Sequence, residues 1–253
     1  MNKEGLYPKF HILDLGNEET IVRLRDFLAE KYGGLDVLVN NAGISFNSAA
    51  TESFGQQATL TLGTNYWGTK RVCQILFPIL QPGARVVNMS SSAGFLGRMQ
   101  AGIKDKAKND DLVRRLSAAD LTVEELDGYM KNFTETAQTE THADHGWPDV
   151  HYPLYNSTYI VSKVGLGALS RIQQREMEED PRNDIVINHV HPGFVDTDMT
   201  GHKTFTYNNV QYDVEDRFGI DRCVCVMSIK PRQTFFLQGC RVRCVCCPAA
   251  PWD

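Results

Sequence analysis

Tyr159 and Lys163 stand four residues apart in a stretch that reads as a helix, so both side chains fall on one face. A free phenol titrates near about pH 10 and a lysine amine near about 10.4. A cation beside the phenol favours phenolate and draws its pKa down toward working pH. Such a pair can act as general acid in ketone reduction, or as general base in alcohol oxidation. Alone the spacing carries little weight, because a Tyr and a Lys four apart usually share no more than a solvated helix face. Other polar or small clusters accompany it in order: Asn40-Asn41-Ala42-Gly43, Asn65, Asn88-Met89-Ser90-Ser91-Ser92, and Pro192-Gly193-Phe194-Val195-Asp196-Thr197.

The elements that position these residues alternate. Phe10 to Leu13 is a short apolar run ending in Asp14 and reads as a buried parallel strand. Asn17 can cap the next helix, with Glu18 and Glu19 in its first turn, Ile21, Leu24 and Leu28 at helical spacing, and Gly33 and Gly34 as its stop. Asp36 to Asn40 is a second strand, a helix is expected from about Asn65 to Leu80, and Ala84 to Met89 is a third strand. A long polar segment over about 95–156 follows. Thr122 and Glu125 form a capping-box pattern within it, so it is partly helical. The helix at Ser157 to Glu179 and a strand at Ile185 to His191 complete the series, ended by Pro192 and Gly193. Strands and helices in alternation predict an α/β fold, a doubly wound, Rossmann-like parallel sheet. In such sheets ligands sit beyond the carboxyl ends of the strands, where these clusters fall.

In this order the motifs resemble those of the short-chain dehydrogenase/reductase family. Tyr32-Gly33-Gly34-Leu35-Asp36-Val37-Leu38-Val39 running into Asn40-Asn41-Ala42-Gly43, Gly146-Trp147-Pro148, and the long segment before Tyr159 are similar to the cytosolic carbonyl reductases. The resemblance covers about Glu4 to Lys203. It implies hydride transfer from NADPH to a ketone, aldehyde or quinone, a small-molecule carbonyl substrate. It gives Tyr159 as proton donor, Ser91 as the serine that bonds the carbonyl, Lys163 as the residue holding the nicotinamide ribose and tuning Tyr159, and Asn65 as support for a proton-relaying water. Ser91 is preferred to Ser90 and Ser92 because it lies three before Gly94, as in the family's SSxxG pattern. By the same resemblance Asp14 and Leu15 flank the adenine, and Asn40, Ala42 and Gly43 line the adenine-ribose side. Pro192, Phe194, Val195 and Thr197 meet the nicotinamide amide, with Gly193 in the same cofactor-binding turn. The long segment implies a monomer, since in related reductases it covers helices that otherwise pair between subunits.

The chain departs from the family pattern at both ends. Nothing in it matches the TGxxxGxG turn that cradles the pyrophosphate at a helix N-terminus. The expectation is a single, N-terminally truncated domain over 1–253. It has an insertion at about 95–156 and a divergent C-terminal segment at 204–253, where Gly219 to Pro231 and Gln238 to Val242 weakly resemble the family's last helix and strand. Without the first two strands, Phe10 to Leu13 would be separated from the sheet. Asp36 to Asn40 would become an apolar edge open to self-association. The alternative function is then a catalytically inactive homologue acting as a binding or dimerising partner.

Composition excludes other classes. The 253 residues carry a net charge of −5, with 42% hydrophobic and 23% charged residues, and so have no basic footprint for nucleic acid. No apolar run reaches the roughly 20 residues of a membrane span, and the first ten residues lack a secretory h-region, so a cytoplasmic location is expected. The glycosylation-like tripeptides at Asn88, Asn132 and Asn156 therefore mean little. Six of seven cysteines lie in the last 31 residues, in CxC and CxxxCxCC spacings that match zinc motifs poorly and read as reduced thiols in a loosely constrained tail. His142, His145 and His151 with Asp144 and Asp149 read as solvated loop residues, so no metal site is expected.

Overall fold

The computed structural model describes residues 9–47, 49–150 and 156–192, together with the backbone of strands at 205–207, 210–212, 223–230 and 233–242. The first strand, β1 (Lys9–His11), leads into α1 (Glu18–Tyr32). Asn17 caps α1 in an extended conformation, its side chain accepting from the Glu19 N–H at 3.1 Å, and Gly33 ends it in the left-handed region at φ 77°. β2 (Leu35–Asn40) follows, then a long helix in three parts: α2 (Phe54–Leu62), a π-helical stretch (Gly63–Gly68) and α3 (Thr69–Leu76). This helix begins eleven residues before the expected Asn65. Ser53 and Gln56 form a capping box there, and the Gly-Gln-Gln-Ala sequence that follows carries no helix breaker beyond one tolerated glycine.

β3 (Leu80–Met89), α4 (Lys106–Ser117), α5 (Val123–Gln138), α6 (Ser157–Glu178) and β4 (Val186–Val190) come next. The chain then forms a small hairpin of β5 (Phe205–Tyr207) and β6 (Val210–Tyr212), and a larger one of β7 (Cys223–Lys230) and β8 (Gln233–Val242). β2, β3 and β4 pair in parallel, with Asn40 level with Asn88 and Asn88 level with His189. The six-stranded sheet runs β1-β8-β7-β2-β3-β4.

That order corrects two expectations. β2 is not an edge, because β7 pairs with it antiparallel, Val37 opposite Ser228 and Leu38 opposite Met227. β1 is not separated from the sheet, because β8 pairs with it in parallel. The C-terminal hairpin supplies the backbone partners that β2 and β1 would otherwise lack. It does so with β7 lying where a last helix was expected at 219–231, and with β8 spanning the last strand expected at 238–242. The Val-Cys-Val-Met-Ser-Ile run has strand rather than helix character. β1 also differs from the buried strand expected. It lies at the sheet edge, and Phe10 and Ile12 are 65% and 78% exposed.

Two cores flank the sheet. One joins Ile21, Leu24 and Leu28 of α1 and Val72, Cys73 and Leu76 of α3 to Leu38, Val86 and Ile187 of the strands. The other joins α2, α4, α5 and α6 around Tyr66, Met130, Phe133 and Trp147. Each large side chain buried in them contributes about 1.5–3 kcal/mol. The described part of the 95–156 segment belongs to this second core. Thr122 caps α5, the Trp147 indole donates to Asn132 Oδ1 at 2.9 Å, and the Tyr66 hydroxyl donates to Asp127 at 2.9 Å, tying the π-helical stretch to α5. Gly146 has φ 82°, and a Cβ there would sit 2.7 Å from the Asn109 backbone nitrogen, so the position takes only glycine.

His142 is not solvated as expected. It is buried between Phe54 and Phe133, with ring centroids at 4.5 and 6.1 Å, and its Nε2 lies 3.5 Å from Asp149 Oδ1. His145 is exposed and His151 lies outside the described residues. Among the described residues no helix is long and apolar enough to cross a membrane, and no cluster of metal-binding type occurs.

Candidate functional site

α6 carries the central pair. Its N-terminus is fixed by Asn156, whose side chain accepts from the Tyr159 N–H at 2.9 Å and from the Thr158 hydroxyl at 2.8 Å, and donates to Gln57 at 3.1 Å. Beyond that cap the helix is buried at every position from Ser157 to Ser170. Tyr159 and Lys163 are 7% and 4% exposed, and the Lys163 ammonium stands 5.6 Å from the centroid of the Tyr159 ring. Lys163 Nζ donates to the carbonyl of Met89, at the end of β3, at 2.7 Å. Burial pulls its pKa down to about 8.

Asn65 and Gly43 complete this corner. Asn65 sits in the π-helical stretch, fully buried. Its amide donates to Ile44 O at 2.9 Å and to Ser162 Oγ at 3.0 Å, while its Oδ1 accepts from Ile44 N at 2.8 Å. It therefore clamps the turn after β2 to α6. A wider helical turn is a common device for aiming one side chain off the regular α path. A Cβ on Gly43 would sit 3.2 Å from Asn65 Oδ1 and 3.4 Å from Lys163 Nζ, so the turn lies directly against both side chains.

Ser91 is half-buried and caps the short 3₁₀ turn Ser92–Gly94, accepting from the Ala93 N–H at 3.2 Å. Gly94 presses that turn onto α6, where a Cβ would meet the Lys163 carbonyl at 3.0 Å and Ser90 Oγ at 2.6 Å. This contact gives a physical reason for a glycine three residues after Ser91. Ser90 is buried, and its N–H donates to Val190 O at 2.7 Å.

The remaining residues divide. Asn40 turns its side chain beneath the site, donating to Asn88 Oδ1 at 2.8 Å. Ala42 is half-buried in the turn with Gly43. Asp14 accepts from the Gly16 N–H at 2.8 Å, and the Leu15 carbonyl accepts from Arg71 of α3 at 2.7 Å, which ties that turn to the helix. Pro192 closes the described part of its loop. Gly193, Phe194, Val195 and Thr197 lie outside the described residues.

Two residues escaped the sequence reading. Asn156 appeared there only within a glycosylation-like tripeptide, yet an Asn three residues before the first buried aromatic of a helix is a cap signal. Asn41 is 6% exposed, and among the described residues its buried Nδ2 has no hydrogen-bond partner. A buried donor left unmade costs about 1–3 kcal/mol and at a strand end points toward a ligand.

Comparison with known proteins agrees with this geometry. A family model described as enoyl-(acyl carrier protein) reductase matches residues 3–121. The chain is 44% identical to carbonyl reductase (NADPH) 1 of Rattus norvegicus over 204 residues, 80% of this chain and 69% of that protein. It is 41% identical to its counterpart in Homo sapiens over the same shares. Among solved structures, salutaridine reductase from Papaver somniferum superposes with a TM-score of 0.62 at 26% identity, covering 76% of this chain and 70% of that one. The parallel strands, the buried Tyr159–Lys163 helix and these similarities together show that the chain belongs to the short-chain dehydrogenase/reductase family.

Proposed function

We propose that this protein is an NADPH-dependent reductase of small carbonyl compounds. The observation that carries the reading is the buried Lys163 ammonium held over Tyr159 at the carboxyl end of the sheet. The identity to NADPH carbonyl reductases supports it.

The residues present fit the ribose–nicotinamide half of a dinucleotide. Lys163 uses one of its three N–H donors on Met89 and has two for ribose hydroxyls, and Asn41 Nδ2 offers a further buried donor. For the pyrophosphate the described residues offer less. β7 runs antiparallel beside β2, so that strand does not end at the crevice and feeds no helix there. Binding is therefore expected to be weak. Bound NADPH supplies a hydride to the carbonyl carbon.

Tyr159 donates its phenolic proton to the carbonyl oxygen, giving the alcohol. Lys163, charged below about pH 8, stabilises the phenolate left behind. Ser91 orients the carbonyl by a hydrogen bond. Asn65, held by Ile44 and Ser162, supports the water through which Tyr159 is reprotonated. Asp14, Leu15, Ala42 and Gly43 are assigned to the adenosine side, with Asn40 behind them bonded to Asn88, and Pro192, Gly193, Phe194, Val195 and Thr197 to the nicotinamide side.

Titration of the purified chain with NADPH, followed by nicotinamide fluorescence, tests this. Saturable binding is expected, with menadione reduction that Tyr159→Phe lowers by about 10²–10⁴-fold. A folded sample that binds nothing at millimolar cofactor would sink the reading and leave a non-catalytic partner of a complete reductase.

A further inference from the structure

Beneath the candidate site, buried polar side chains from four elements close a ring. Asn40 of β2 donates to Asn88 Oδ1 of β3 at 2.8 Å, and its Nδ2 lies 3.2 Å from the Cys73 sulfur of α3. The Asn88 amide donates to Ser170 Oγ at 2.9 Å and to Gln173 Oε1 at 3.3 Å, both on α6. Gln173 also lies beside Cys73, bringing the circuit back to α3. Asn40 is 8% exposed, and Asn88, Ser170, Gln173 and Cys73 are between 0% and 4% exposed. Burial pushes the Cys73 thiol up to about 12, so it stays neutral within the ring.

The members sit a fixed short distance from the site. Asn40 lies three residues before Gly43, Asn88 three before Ser91, and Ser170 seven after Lys163 on the same side of α6. Apolar packing between a sheet and a helix is non-directional and tolerates small slides. Hydrogen bonds do not. A shift of α6 by one residue, about 1.5 Å, would break the Asn88 bonds together. A buried polar circuit is therefore a costly way to gain stability and an effective way to fix one register.

We propose that Asn88, Ser170 and Gln173 are positioning residues, holding α6 at the height and rotation that place Lys163 Nζ on the Met89 carbonyl and over Tyr159. Their bearing on catalysis rests on the reductase reading, whereas their hold on Lys163 does not. Lys163 reports the register directly, because it faces Tyr159 from its own helix, the Met89 carbonyl from β3, Gly43 from the turn after β2, and Asn65 from the π-helical stretch. Of these only Tyr159 titrates.

The test is pulsed acetylation of the full chain from pH 6 to 11, with modification of each lysine mapped by mass spectrometry. The parent should show Lys163 half-reactive near pH 8, with the exposed Lys31 as the internal reference. Ser170→Ala, which removes one acceptor from Asn88 and keeps a good helix former, should raise the Lys163 midpoint by about one unit toward the free-amine value. Gln173→Leu should do the same, and Ser170→Thr, which keeps the hydroxyl, should restore the parent profile. Folding of each variant is checked by its melting transition and by an unchanged Lys31 profile. Folded Ser170→Ala and Gln173→Leu variants with the parent Lys163 midpoint would overturn the proposal, as would a parent Lys163 that reacts like Lys31. The assay contains no NADPH, so failure of cofactor binding would defeat the reductase reading and leave the positioning ring intact.

Discussion

A buried ammonium makes folding depend on pH in a direction that can be worked out. Lys163 binds its proton with a pKa of about 8 when folded and about 10.4 when unfolded. Below pH 8 both states are protonated, and the folded chain bears the cost of the buried charge. Between about 8 and 10.4 only the unfolded chain stays protonated, so stability rises with pH through that window. The gain is about 3 kcal/mol at most. Lys163→Met should remove it, so urea unfolding of the two proteins from pH 7 to 10.5 should show the parent gaining on the variant. Parallel curves would show that Lys163 is not buried as described. Asn41 makes a second case. Asn41→Leu replaces an unpaired buried donor with an apolar group of similar size, so the variant should be more stable by about 1 kcal/mol and bind NADPH more weakly. Stability and cofactor titration, read together, check this, and a variant that binds as the parent does would exclude Asn41 from the site. The Tyr159–Lys163 pair was legible in the sequence because a four-residue spacing fixes a shared helix face. Asn41 was not, because Asn40-Asn41-Ala42-Gly43 does not reveal which amide finds a partner. The structure turns Asn40 inward to Asn88 and leaves Asn41 unpaired.

Elements with strong local signals were read closely from the sequence. Asn17, Thr122 and the Gly33-Gly34 stop define helix ends through short-range hydrogen bonds, and the helix expected from Ser157 to Glu179 differs from α6 by one residue. The π-helical stretch was not legible, because Gly-Thr-Asn-Tyr-Trp-Gly has no feature that forbids ordinary α geometry. Tertiary bonds from Asn65 to Ile44 and Ser162 accompany it instead. Two close approaches test how tightly the helices are set. A Cβ on Gly55 would lie 2.7 Å from the Gln138 Cα, backbone against backbone. Gly55→Ala should therefore destabilise by about 1–3 kcal/mol, although alanine favours helix by about 1 kcal/mol. A denaturation midpoint equal to the parent's would show that α2 and α5 can part freely. At the other end of the same packing, Asn156→Ala removes the cap of α6 and the bond to Gln57, and should lower stability by about 1–2 kcal/mol. An equal unfolding midpoint there would mean that the α6 start is held by its buried neighbours alone.

At the scale of the whole molecule, the sheet is closed by the last strands of the chain. Among the described residues β1 joins the sheet through β8, and the edge of β2 away from β3 is covered by β7, so both strands depend on residues more than 180 positions later in sequence. Such long-range pairing was not legible, since the Cys-rich composition of 223–247 reads as an unconstrained tail. Strand partners are set by which edge is open rather than by local pattern. The arrangement makes a sharp prediction. Met227 pairs with Leu38 in the middle of β7, where a proline removes a backbone donor and fixes φ in a strand that is not at the edge. Met227→Pro should detach the hairpin and expose β2, whose Val37, Leu38 and Val39 then present an apolar row of unpaired backbone groups. Size-exclusion chromatography with light scattering should show the variant associating with rising concentration more strongly than the parent, with a lower melting temperature. If the parent and Met227→Pro instead elute and melt alike, the C-terminal hairpin does not shield β2. The open edge expected from the sequence would then govern how the protein associates.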